Sequence, residues 1–270
     1  MKINNLIRKS ADIRLSILDT LQSVGKGHIG GAFSCVEILV ALYYSGVLKY
    51  TVLNPKWKQR DRFILSKGHA AVALYTILAD LRFFDPIELE GFNDCGLLGE
   101  HPDMYIPGVE VNSGSLGHGL GIGAGIAYAA KLDGNDFNTY VLLGDGECYE
   151  GSIWEAAMFA AHHKLTNLTA IVDRNYLCIH GNTEEINKLD PLIEKFHSFG
   201  WSCDVIDGHD FDQLITALNY ITVKPKVIIA NTIKGKGVSF MENIAGWHHG
   251  GISKEVYKKA REELLNDRYA

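Results

Sequence analysis

Two short segments each set an oxygen donor directly after an apolar run. Gly144-Asp145-Gly146 follows residues 140–143 (YVLL), and Asp173-Arg174-Asn175 follows residues 168–172 (LTAIV). A carboxylate, an amide oxygen and a nearby backbone carbonyl are hard donors, suited to magnesium held together with phosphate oxygens. The glycines flanking Asp145 let backbone approach a bulky anion. A helix N-terminus just downstream would favour negative charge there. Taken alone, Gly-Asp-Gly is equally well explained as a tight turn between a strand and a helix.

The elements that must position these donors are legible. Both apolar runs are short, rich in strand-favouring residues and closed by polar or glycine residues. Between them residues 152–163 read as a helix, so the unit is strand, helix, strand, with a ligand after each strand. Open parallel sheets bind ligands outside the carboxyl ends of their strands. The same alternation continues: a strand over 61–66 and a helix over 70–81, then a helix over 191–199, a strand over 201–206, a helix over 211–221 and a strand over 226–232. This predicts an α/β fold, a doubly wound, mostly parallel sheet with helices on both faces.

Around this frame stand loops carrying imidazoles. Residues 5–24 form an amphipathic helix in which Leu6, Ile13, Ile17 and Leu21 share a face. It runs into Gly25-Lys26-Gly27-His28-Ile29-Gly30-Gly31, which lacks the P-loop pattern and has no strand before it. Residues 34–44 read as a buried helix with Ser34 as its N-cap. Ser66-Lys67-Gly68-His69-Ala70 closes the 61–66 strand. The irregular stretch 86–108 contains Gly99-Glu100-His101-Pro102. Residues 112–125 place glycines at every second position from 117 to 125, which never satisfies GxGxxG and suits close packing of a helix start under a ligand. A glycine-rich segment, 234–251, carries His248 and His249, and residues 252–270 form a charged terminal helix with a solvated face.

Composition sets the class. At 270 residues, with 47% hydrophobic and 21% charged residues, the chain can build one large α/β domain spanning 1–270. A formal charge of -6 argues against nucleic acid as a partner. The five cysteines, Cys35, Cys95, Cys148, Cys178 and Cys203, form no CxxC and no disulfide framework, which fits reduced thiols and a cytoplasmic location. The opening residues do not read as a signal peptide, and no apolar stretch is long enough to span a membrane.

The ordered set of motifs resembles the N-terminal half of transketolases from about residue 5 to 250, and most closely the separately encoded N-terminal subunit. Gly144-Asp145-Gly146, 26 intervening residues and Asp173-Arg174-Asn175 resemble the thiamine diphosphate signature. The resemblance implies thiamine diphosphate with Mg2+ (or Ca2+ or Mn2+) bound by Asp145, Asn175 and the carbonyl of Leu177. It implies cofactor contacts from His69, Gly114, Ser115, Leu116, Gly144, Asp145, Gly146, Glu147, His248 and His249. Gly114 would accept from the aminopyrimidine, Leu116 would support the bent cofactor, and His249 is preferred to His248 for the diphosphate. His28, His69 and His101 would act in catalysis on sugar or sugar-phosphate substrates, with Glu150 and Glu155 at subunit contacts that couple active sites. The family's activating glutamate belongs to a second domain, so a separate C-terminal subunit in an A2B2 assembly is expected.

The sequence also departs from the family at Glu100 (usually Gly), His118 (usually Gln), Arg174 (usually Asn or Asp) and His180 (usually Asp). None of these is expected to touch the three metal ligands. The rival readings are a different thiamine diphosphate enzyme of the deoxyxylulose phosphate synthase or acyloin-forming kind, a non-catalytic scaffold subunit, and, weakest, a NAD dehydrogenase.

Overall fold

The computed structural model describes residues 1–94 and 96–269; Cys95 and Ala270, included in the cysteine and domain expectations, lie outside the described residues. Five parallel strands, β1 (Arg62–Leu65), β2 (Thr139–Gly144), β3 (Leu168–Arg174), β4 (Ser202–Asp207) and β5 (Lys226–Asn231), form one sheet in the order β1-β2-β3-β5-β4. The four strands other than the edge strand β4 are almost wholly buried. Continuous apolar runs are what a parallel sheet covered on both faces requires.

Strand alternation sorts those side chains into two layers. Phe63, Leu65, Leu142, Ile171 and Ile228 meet helices α1 (Ile3–Val24), α2 (Ile29–Ser34), α3 (Val36–Tyr44), α4 (Ala71–Asp80), α8 (Phe211–Asn219) and α9 (Lys254–Tyr269). Ile64, Val141, Leu143, Ala170 and Val172 meet α5 (His118–Leu132), α6 (Gly151–His162) and α7 (Leu192–Ser198) on the other face. The progression of strands across the sheet reverses between β4 and β5, which is placed back between β3 and β4. Because parallel crossovers keep one hand, that reversal carries α8 to the face opposite α6 and α7. The doubly wound α/β reading is therefore what the chain adopts.

Most elements match their expected spans, including the α1 face, where Leu6, Ile13, Ile17 and Leu21 are at most 2% exposed. Burial of that stripe, about 1.5–3 kcal/mol for each large aliphatic side chain, is what fixes the helix. Across it, Arg14 donates two hydrogen bonds of 2.6 Å to the Glu37 carboxylate of α3, and Glu37 also meets His209 at 2.9 Å.

Three local expectations are corrected. Ser34 does not cap α3: it ends α2, and its hydroxyl donates to Asp173 at 2.6 Å, a partner 139 residues away. The segment holding His28 is only partly a loop, because α2 begins at Ile29 with His28 at its N-cap. The helix expected over 152–163 forms as α6, Gly151–His162, with a 3-10 turn, Gly146–Tyr149, between it and Asp145. Finally, α9 is more than a solvated face: Ala260 and Leu264 are buried in the layer that includes α1.

A two-residue ribbon, Lys26–Gly27 paired antiparallel with Gly250–Gly251, joins the segment before His28 to the segment after His249.

Candidate active site

The carboxyl ends of β1, β2, β3 and β5 converge on one cavity of about 130 Å³. Asp145 is the first residue past β2, and Asn175 the first past β3. Their neighbouring strands are in register, so the two side chains reach the same space. The Asp145 carboxylate accepts from the backbone N–H groups of Gly146 at 2.8 Å and Tyr176 at 2.7 Å. Asn175 Oδ1 accepts from Leu177 N–H at 3.1 Å, and its amide donates to Asp173 at 3.3 Å. Leu177 borders the same cavity, so all three expected metal ligands meet there.

Arg174 overturns the expectation that no departure touches a ligand. Its guanidinium is 1% exposed and donates to Asp145 Oδ2 at 3.3 Å, to Thr183 Oγ1 at 2.8 Å and to Glu184 at 2.5 Å. Burial and the nearby Asp173 raise the Asp145 carboxyl to about 6 against the pull of Arg174.

Two lysines complete the cavity, and sequence reasoning passed over both. Lys67 is buried, donates to Gly31 C=O at 2.8 Å and forms an ion pair with Asp173. Burial works against its charge, and Asp173 outweighs burial, so its pKa is raised. Lys234 follows β5, donates to Leu177 C=O at 2.8 Å and meets His248 Nδ1 at 2.8 Å. Burial and the repulsion of Lys67 bring Lys234 down to about 8. The available signal was position: Lys67 lies inside the Ser-Lys-Gly-His-Ala segment, and Lys234 opens the glycine-rich segment.

The imidazoles gather at the mouth. The His28 ring lies 5.4 Å from His69, 5.5 Å from His248 and 4.5 Å from His249. Burial and His249 lower His28 to about 4, opposed by Glu100. Burial and Lys234 lower His248 to about 3, and burial and Lys67 hold His69 well below the usual range. These three rings are therefore neutral near pH 7, able both to donate and to accept a hydrogen bond, while the positive charge comes from the lysines. His248 lines the cavity; His249, the histidine preferred from sequence, lies outside that lining and pairs with Glu100.

Glycines set the loop that faces this cluster. Gly114 has φ +133°, and a Cβ there would meet the His101 ring at 3.0 Å. A Cβ on Gly68 would meet Gly114 N at 2.8 Å. Leu116 is 37% exposed and lines the cavity, with Ser115 exposed beside it. Glu147 ties the loops together: its carboxylate accepts from Ser66, from Gly117 N–H at 2.8 Å and from Gly144 N–H at 3.0 Å. Glu150 and Glu155 are exposed at the start of α6, and neither lines the cavity; Glu155 borders a separate cleft between α5 and α6. His118 and His180 are exposed and also lie outside its lining.

Hard oxygen donors and ammonium groups sharing one cavity suit a divalent cation bound with a diphosphate. Asp145 Oδ1 and Asn175 Oδ1 are the oxygens best placed to take a cation, because Asp145 Oδ2 already accepts from both Tyr176 N–H and Arg174.

Comparison with known proteins agrees. Residues 7–269 match the family model described as transketolase, thiamine diphosphate binding domain. The chain is 42% identical to one of the subunits of the apulose-4-phosphate transketolase of Phocaeicola vulgatus, over 98% of this chain and 95% of that one. It is 43% identical to the 6-deoxy-6-sulfo-D-fructose transketolase subunit SqwG of a Clostridium species, over 93% of each. The crystal structure of Campylobacter jejuni transketolase superposes with a TM-score of 0.92 at 32% identity, covering 98% of this chain but only 43% of that longer one. The chain belongs to the transketolase family, as a homologue of its N-terminal, thiamine diphosphate-binding domain.

Proposed function

We propose that this chain is one diphosphate-binding domain acting as the N-terminal subunit of a two-subunit transketolase. It moves a two-carbon ketol unit from a ketose or ketose phosphate to an aldose or aldose phosphate. The observation that carries this reading is the convergence of Asp145, Asn175 and Leu177 with Lys67 and Lys234 on one cavity, beneath the His28–His69–His248 cluster. When bound, thiamine diphosphate supplies the ring carbon on which the two-carbon unit is carried. Asp145, Asn175 and the Leu177 carbonyl hold the cation, Mg2+ or the similarly oxygen-seeking Ca2+ or Mn2+. Lys234 would offer its ammonium to the diphosphate, and Leu116, which lines the same cavity, would support the bent cofactor. His28, His69 and His101 bind and orient sugar hydroxyls and exchange protons with them.

Relatives matched over nearly their whole length are named as subunits, which supports a separate partner subunit. The reading includes an A2B2 assembly with the exposed Glu150 and Glu155 between subunits. The half-exposed and buried free thiols fit a reducing, cytoplasmic setting. The test is ketol transfer by the purified chain, with and without the product of a neighbouring gene that carries a pyrimidine-binding domain. The substrate panel includes xylulose 5-phosphate, apulose 4-phosphate and 6-deoxy-6-sulfo-D-fructose. Activity that requires both chains is expected; full activity of this chain alone would refute the split arrangement. Calorimetry with thiamine diphosphate and Mg2+ tests the cofactor directly.

A further inference from the structure

We propose that His28, Glu100 and His249 form a binding site for a borderline-soft divalent cation such as Zn2+, separate from the oxygen site at Asp145. Three segments distant in sequence supply it: the N-cap of α2, the irregular stretch before His101 and the glycine-rich segment before α9. Glu100 Oε1 lies 3.5 Å from His28 Nδ1 and 3.9 Å from His249 Nε2. All three candidate ligand atoms lie within 4.8 Å of one another. Zinc bonds of about 2.0–2.2 Å in a tetrahedron place ligand atoms roughly 3.4 Å apart. The two Glu100 separations are close to that value, and Glu100 and the half-exposed His249 have room to draw in.

The donor set selects the ion. Two imidazoles and one carboxylate with a fourth position open is a zinc-like set, whereas Asp145, Asn175 and a carbonyl suit a hard cation. His248 is excluded from the set, because its Nδ1 is engaged by Lys234 at 2.8 Å. Glu100 is the decisive residue: with the glycine usual at this position the two histidines would lack their anionic third ligand, and a site of two neutral imidazoles holds zinc poorly.

Occupation takes Nδ1 of His28 away from the mouth of the cavity. This inhibitory consequence rests on the ketol-transfer reading above, whereas metal binding itself does not.

The experiment uses Co2+ as the probe, titrated into the full chain in the presence of excess Mg2+. One equivalent should bind and develop the intense visible absorption of four-coordinate cobalt. Glu100→Gly and His249→Ala should each weaken Co2+ binding by at least about 10-fold, the scale on which lost support is felt at metal sites. Asp145→Asn should leave the cobalt spectrum unchanged. Glu100→Gly carries the residue usual in the family, and its unfolding curve shows whether it folds. The proposal is overturned if no four-coordinate spectrum appears, or if Asp145→Asn abolishes it while Glu100→Gly does not. In the assembled enzyme, Zn2+ should slow ketol transfer, and Glu100→Gly should raise the inhibitory concentration by about the same 10-fold. Zinc-insensitive turnover alongside an intact cobalt spectrum would remove only the inhibitory consequence.

Discussion

Lys67 and Asp173 form an ion pair across the intervening strand β2, with side chains 1% and 0% exposed. Asp173 accepts further hydrogen bonds from Ser34, Thr232 and Asn175, so four segments of the chain meet at one carboxylate. A buried pair stabilises little relative to an apolar replacement, but breaking it strands a charge. Lys67→Met and Asp173→Asn should therefore each cost about 3–5 kcal/mol of stability. In a urea-denaturation cycle the double variant should lose clearly less than the sum. Additive losses would show that the two groups are not coupled.

The Asp145 carboxyl, raised to about 6, predicts a pH-dependent cation affinity. A raised carboxyl pKa contributes stability to the ligand-free chain that is complete below 3.8 and disappears as pH rises through about 6. Cation binding needs the ionised form. Below that value the apparent affinity for Mg2+ with thiamine diphosphate should fall by about tenfold per pH unit, with protons released on binding. Calorimetry in buffers of different ionisation enthalpy measures both. An affinity flat across this range would contradict the burial argument.

Glu37 titrates in the opposite sense. Burial pushes its carboxyl up, but Arg14 and His209 outweigh burial and hold it at about 2, against an ordinary value of 4.5. Its contribution, roughly 3 kcal/mol, is present above 4.5 and lost as pH falls through about 2. Glu37→Gln should be less stable at pH 7, and the gap to the parent chain should close in acid. A constant gap would place the loss in packing.

Two glycines of α5 make a matched pair. A Cβ on Gly119 would run into the side chain of Ser66 and come within 3.0 Å of its Cα, whereas one on Gly121 meets nothing within 4 Å. Gly119→Ala should destabilise by about 1–3 kcal/mol and disturb the Ser66–Glu147 contact. Gly121→Ala should stabilise the isolated chain by up to about 1 kcal/mol through helix propensity. Thermal unfolding of the two variants, shifting in opposite directions, is the expected result.

The sheet and its strand tips were legible because a buried parallel strand writes a continuous apolar run and a turn follows it; Asp145 and Asn175 stand where that grammar puts them. The roles of Ser34, Lys67 and Arg174 were not legible, for a shared reason. Each is decided by a partner far along the chain: Asp173 for the first two, Asp145 for the third. Local propensity makes Ser34 a cap and the two cations surface residues, and only the fold supplies their buried carboxylates. The α9 face was misjudged because a helix rich in charge still needs only Ala260 and Leu264 to dock. Between His248 and His249, one residue of helical-turn geometry decides which ring meets Lys234.

The short ribbon of Lys26–Gly27 with Gly250–Gly251 has a mechanical consequence. Its two rungs bracket His28 on one arm and His248 and His249 on the other, so the rings ride on a common clasp. Unzipping it would disperse the imidazoles together, and deuterium uptake along both arms should advance in step.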